Sequence, residues 1–213
     1  MNPPVMSLAA GSASLLPLSV GIVRYKKLST AMKVFLLFCL LTCLEIVAEF
    51  ILSYRGINNL FLGNSSFPVE TAFIAAVYAF ALEGKKVRGV IITLGGIFLF
   101  IWTVDKIFFD LPGSINEEMA ILSRIFIIVL SVIALHTTAR RTMLALTDEP
   151  LFWLTSGNLL YSAGIVLLLG LSNEIAAMGV SYFIAAWNIN WSLDIIANVM
   201  FAKGFLCKVT PRT

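Results

Sequence analysis

Apolar residues in this chain come in long blocks and not in the short alternations of a soluble fold. Seven blocks occupy roughly residues 5–23, 32–54, 67–83, 89–109, 118–139, 151–171 and 178–205. Each is near the ~20 residues that an α-helix needs to cross about 30 Å of hydrocarbon. Charged residues gather in the short breaks between them. The pattern predicts an all-α polytopic membrane protein, one domain over residues 1–213, built as a bundle of seven transmembrane helices. The first block holds Ser12, Ser14, Pro17 and Ser19. It reads as a helix and not a signal peptide, because its basic cluster (Arg24, Lys26, Lys27) follows the apolar run.

Composition agrees with the pattern. Hydrophobic residues are 59% and charged residues 13% of the chain, and mean hydropathy is +0.94. A soluble domain carries about 25% charged residues. The longest connections, "RGINNLFLGNSSF" and "RRTMLALTDEP", are too short for a separate catalytic or nucleotide-binding module.

Charge orients the bundle. With the N-terminus outside, 12 of the 15 basic residues fall on inner segments: Arg24, Lys26, Lys27, Lys33, Lys85, Lys86, Arg88, Arg140, Arg141, Lys203, Lys208 and Arg212. Excess Lys and Arg marks the cytoplasmic side, so the C-terminus is expected inside. This asymmetry also accounts for the net charge of +3, and no nucleic-acid partner is implied. The expected location is a cell membrane, of the bacterial inner-membrane kind, with membrane lipids as neighbours and a membrane protein or a second copy as a partner.

Little in the sequence calls for a cofactor. There is no glycine-rich phosphate loop, and the single histidine, His136, argues against a histidine-rich zinc site. Cys39, Cys43 and Cys207 lie within spans or at an inner end, so no disulfide framework follows. "NSS" at Asn64 matches a glycosylation acceptor on the outer side, a match that chance explains well.

The informative residues are polar ones inside the spans. A charge at bilayer depth costs about 2.5–3.5 kcal/mol on insertion scales, so it is expected to face the bundle interior. Glu45, Glu49, Glu70, Asp105, Asp194 and Arg124 qualify. At about 1.5 Å per residue, Glu49 lies about 8 Å and Glu45 about 14 Å below the outer edge, with Arg124 about 9 Å deep. An ion pair of Arg124 with Glu49, Glu45 or Asp105 follows as an expectation. Glu70, just after Pro68, reads as a cap near the start of its helix.

Two stripes stand out. Thr42, Glu45, Glu49 and Ser53 share one face of the second span. Trp187, Asn190, Trp191, Asp194 and Asn198 share one face of the last, and the sixth span offers Thr155, Asn158, Tyr161 and Ser162. Together they are expected to line a polar cavity open to the outside and closed at mid-depth by bulky rings. There Asp194 is tolerable if hydrogen-bonded or protonated, with Asn158 or Tyr161 as its partner. Against this stands a plain structural reading. Polar side chains also hold membrane helices together, at about 0.6 kcal/mol per hydrogen bond, and the tryptophans can simply pack.

The segments "FWLTSGNLLYSAG" (152–164), "WNINWSLDIIANVMFAKGF" (187–205) and "NNLFLGNSSFPVE" (58–70) resemble small seven-helix integral membrane proteins of bacteria, particularly Bacteroidota. The resemblance implies fold and topology and brings no catalytic residues. Microbial rhodopsins share the size, but their mid-helix retinal lysine has no counterpart, since Lys203 sits at the inner end of the last span. Three functions fit the sequence: a ligand-sensing or accessory membrane module, a small-solute or proton-coupled transporter, and a lipid-modifying enzyme. Absence of visible repeats weighs against the transporter. Scarcity of histidine and of a nucleophile weighs against the enzyme. The sensing module is the preferred expectation.

Overall fold

The computed structural model describes residues 5–109, 116–141 and 145–207. Lys208 and Arg212, counted above on the inner side, lie outside them. Among the described residues all regular structure is helical: α1 (Val5–Ala13), α2 (Leu15–Val23), α3 (Thr30–Tyr54), α4 (Leu60–Ala81), α5 (Lys85–Phe108), α6 (Glu117–Arg141), α7 (Pro150–Gly170), α8 (Ser172–Met178) and α9 (Val180–Leu206), with two 3-10 turns at Tyr25–Lys27 and Leu146–Asp148. Six helical stretches are long and apolar enough to cross a membrane, with α1 and α2 counting as one. This fits a multi-pass membrane protein. The six do not include α9, whose Asn188, Asn190, Ser192, Asp194 and Asn198 dilute its apolar run.

Three boundaries differ from the sequence expectation, each for a local reason. The first span breaks at Ser14. Pro17 has no N–H for the Ala13 carbonyl, and its ring crowds that carbonyl, so α1 stops there. At the other end of the chain, Gly179 takes φ 112°, a region that suits glycine, and separates α8 from α9. The third span begins at Leu60 and not near Phe67, and Pro68 lies inside α4. The serines ahead of it bond back to their own helix: Ser65 Oγ donates to Phe61 O and Ser66 Oγ to Gly63 O, both at 2.7 Å. Asn64 is therefore helical and buried, and its Oδ1 accepts from the Asn116 N–H at 3.1 Å. That placement removes Asn64 as an exposed glycosylation acceptor.

Short connections force neighbouring helices to run antiparallel. Lateral packing then closes a ring. α1 and α2 pack on α9, α2 on α3, α3 on α4, α4 on α6, α6 on α7, and α7 on α9, while α5 lies outside the ring against α4 and α6. The two halves of the ring differ. Toward the end carrying Arg24, Lys26 and Lys27, the interior is filled with Met32, Phe35, Ile74, Tyr78, Leu130, Leu154 and Phe205. Toward the other end the interior opens into a cavity.

Candidate functional site

Six parts of the ring supply the cavity wall: Ser14 between α1 and α2, and side chains of α3, α4, α6, α7 and α9. Its volume is about 260 Å³. Among the described residues four carboxylates line it, Glu45 and Glu49 from α3, Glu70 from α4 and Asp194 from α9, together with a single cation, Arg124 from α6. Thr42, Ser66, Asn158, Tyr161 and Asn198 complete its polar surface. Phe38 and Phe201 form the floor. Behind them Phe35 meets Phe201 edge-on at 5.0 Å and Phe205 at 5.8 Å, so packed rings lie between the cavity and the basic end.

Arg124 is 7% exposed, and Nη1 donates to Glu70 Oε1 at 2.5 Å. Its guanidinium also lies over the Tyr161 ring, 5.0 Å from the centroid. A guanidinium presents a flat apolar face and charged edges, so it can stack on a ring and ion-pair at once. The partner is thus Glu70, which the sequence placed among the in-span carboxylates and read as a cap, not as a partner of Arg124. α4 reaches a full two turns further than expected, and this places Glu70 mid-helix and across from α6.

Asp194 also has a different partner from the one expected. Asn198, one turn on, donates from Nδ2 to the Asp194 carboxylate at 3.1 Å and to its backbone oxygen at 3.0 Å. Asn158 instead donates to Tyr78 Oη at 3.0 Å, and that hydroxyl lies 2.9 Å from Ser131 Oγ. Tyr78 and Ser131 are fully buried. A second polar contact between α4 and α6, Thr71 to Ser123 at 3.0 Å, lies nearer Arg124. These bonds fix the register of α4, α6 and α7 around the cavity.

Nine of the residues singled out from sequence come together here: Thr42, Glu45, Glu49, Glu70, Arg124, Asn158, Tyr161, Asp194 and Asn198. Asp105, Trp187, Asn190, Trp191 and Ser53 lie elsewhere. Asp105 is on α5, outside the ring, and accepts from Asn116 Nδ2 at 2.5 Å. Trp187 lines a small apolar cleft with Ile165, Leu168 and Phe183, two turns from Asp194. Asn190 is buried and Trp191 half-buried on α9, neither on the cavity wall. Ser53, the end of the α3 stripe, is exposed. Sequence reasoning missed the role of Glu70 and Ser66, although their four-residue spacing put them on one face of an extended α4.

Among the described residues no three His, Cys, Asp or Glu side chains are grouped to hold a metal ion. His136 is exposed on α6, away from the cavity. The site's chemistry is therefore that of carboxylates, one guanidinium and neutral hydrogen-bonding groups. No protein-family model matches the chain, and neither the curated proteins nor the solved structures contain a match.

Proposed function

We propose that the protein is a ligand-binding module of a bacterial inner membrane, with seven spans including α9, the N-terminus outside and the C-terminus inside, and that it takes up a small cationic ligand in the intramembrane cavity as a sensor or accessory subunit. The observation that carries the reading is the imbalance of charge. Four carboxylates face one arginine, and that arginine is engaged by Glu70. Burying such a set is costly unless it serves a purpose or is compensated. A bound cation compensates it.

Binding, more than transport, is favoured by the phenylalanine floor and the filled core beneath it. A carrier needs a second way out, and the packed half of the bundle stands in that way. The signal of occupancy would pass to a partner membrane protein, or to a second copy, through the short connections on the basic side.

Two experiments test the reading. Protein purified in mild detergent is heated with cationic, zwitterionic and anionic solutes in turn. Saturable stabilisation by cations that disappears in Glu45→Gln/Asp194→Asn supports it, and indifference to every solute overturns it. Orientation is tested by labelling intact cells. A cysteine at exposed Asn58 should react with an impermeant reagent and one at exposed Lys85 should not.

A further inference from the structure

The seam between α3 and α4 is joined by side chains toward its two ends, and between them by a hydrogen bond of Ser66 to Glu45. Phe38 and Phe73 meet with centroids 5.9 Å apart, and Asn59 Nδ2 donates to the Glu49 carbonyl at 3.4 Å. Between those ends the cavity wall is made by Leu41, Glu45, Ser66 and Val69. Leu41 is 36% exposed and Val69 43% exposed. Leu41 sits beside the outward-facing Leu40 and Leu44, and Val69 lies one turn from exposed Ser65. Two apolar residues of the lipid-facing surface are therefore also wall residues of a charged cavity. Leu41 is 11 residues into α3, about 16 Å from its start, which is near the bilayer midplane.

We propose that the ligand is a single-chain amphiphile with a cationic amine headgroup, which enters sideways between α3 and α4. This rests on the ligand-binding reading above and names the class of ligand. The headgroup lies among Glu45, Glu49 and Asp194, and the chain leaves the cavity past Leu41 and Val69 into the lipid. Charge selects the head, because among the described residues the wall holds four carboxylates and one arginine, and that arginine's ion pair is with Glu70. Polarity extends beyond these groups. Asn190 Oδ1 and Ser162 Oγ, on the same faces of α9 and α7 as Asp194 and Asn158, have no hydrogen-bond partner among the described residues, although the two residues are only 8% and 1% exposed. A protonated amine offers up to three donors, which the wall carboxylates Glu45, Glu49 and Asp194 can accept. The position of Leu41 and Val69 selects the chain, because exposed apolar wall residues at the midplane face acyl tails and not water.

The test uses the full-length protein in phosphatidylcholine nanodiscs, with dodecylamine, dodecanoate and butylamine as probes and native mass spectrometry and thermal unfolding as readouts. Dodecylamine should bind saturably and at least about tenfold more tightly than butylamine, and dodecanoate should not bind. Glu45→Gln/Asp194→Asn should weaken dodecylamine at least about tenfold. A disulfide between Leu41→Cys and Val69→Cys should slow uptake of dodecylamine more than uptake of butylamine. Reduction of the same sample should restore uptake, which controls for folding. Equal binding of the two amines, with no effect of the disulfide, overturns lateral entry by an amphiphile and leaves the small-cation reading standing. Dodecylamine binding that ignores the carboxylate substitutions reports partition into the bilayer and overturns the proposal. Failure of both amines defeats the proposal together with the reading beneath it.

Discussion

Arg124 of α6 and Glu70 of α4 form an ion pair whose side chains are 9% and 16% exposed, donating at 2.5 Å across the cavity wall. Each member makes the burial of the other tolerable. Removing one leaves a charge stranded in a low-dielectric interior, which costs about 3–5 kcal/mol, while removing both together can be nearly neutral. Arg124→Leu should therefore lower the unfolding temperature in detergent sharply. Glu70→Leu/Arg124→Leu should recover much of the loss. Additive losses in the double variant would show that the two side chains do not act as a pair.

The buried hydroxyl of Tyr78 gives a milder prediction. Tyr78 Oη joins Asn158 on α7 and Ser131 on α6, and all three are buried. Tyr78→Phe keeps the ring and strands two polar groups, at about 1–3 kcal/mol for a buried group left unsatisfied. Urea unfolding in detergent should show the loss, and Tyr78→Phe/Asn158→Leu should not add to it in full. A Tyr78→Phe protein as stable as the parent would mean that water replaces the hydroxyl.

The helices were legible because length and hydropathy suffice to mark a span, and each of the seven expected blocks overlaps a helix. What hydropathy could not see was a polar helical stretch. Asn59–Phe67 looks like a loop, and Pro68 looks like a helix start because proline suits the first turn. The serines instead satisfy themselves on backbone carbonyls three and four residues back, so α4 runs on and Glu70 becomes a wall residue. Lateral order was equally hidden. Depth alone made Asp105 as good a partner for Arg124 as any carboxylate, but α5 packs outside the ring. The shared faces of α3, α7 and α9 carried the rest of the cavity, since side chains four apart on a helix meet the same neighbour. That rule fails over the length of α9, where Trp187 is on Asp194's face but reaches the α8 end of the bundle.

Gly157 makes the α7–α9 contact and, through it, the cavity floor. A Cβ on it would sit 2.6 Å from Cε1 of Phe201, a rigid ring that also lines the cavity. Phe201 cannot give way without moving against Phe35. Overpacking of this kind costs about 1–3 kcal/mol. Gly157→Ala should lower the unfolding temperature, and Gly157→Ala/Phe201→Leu should restore it. A stable single variant would show that the ring has somewhere else to go.

Cys207, just past the end of α9, gives a prediction in pH. Burial pushes its thiol above the ordinary value, with Lys203 only partly offsetting the effect. The thiol also has acceptors, with Sγ 3.4 Å from Lys203 O and 3.8 Å from Thr147 O. A raised pKa means less thiolate at neutral pH, and the thiolate is the nucleophile. In Cys39→Ala/Cys43→Ala protein, iodoacetamide should modify Cys207 slowly at pH 7, and the rate should climb about tenfold per pH unit well past pH 8. A rate that levels off below pH 8 would contradict the burial of this group.

Asp194 separates structure from function most cleanly. Its carboxylate accepts from Asn198 Nδ2 at 3.1 Å, and both residues line the cavity. Asn198 is 7% exposed, and the carboxylate is one of its two acceptors beside the Asp194 backbone oxygen. Asp194→Leu removes the carboxylate and should cost about 1–3 kcal/mol. Asp194→Asn keeps an acceptor of the same shape and should fold with the stability of the parent, but it brings no negative charge. Loss of one carboxylate from a desolvated site for a cation should then weaken an amine by at least about tenfold, near 1.4 kcal/mol. The contrast to measure is unfolding temperature against amine affinity in the two variants. If Asp194→Asn leaves affinity untouched while Asp194→Leu unfolds, the carboxylate serves only as a hydrogen-bond partner for Asn198. If Asp194→Asn folds and loses the amine, its charge is part of the site.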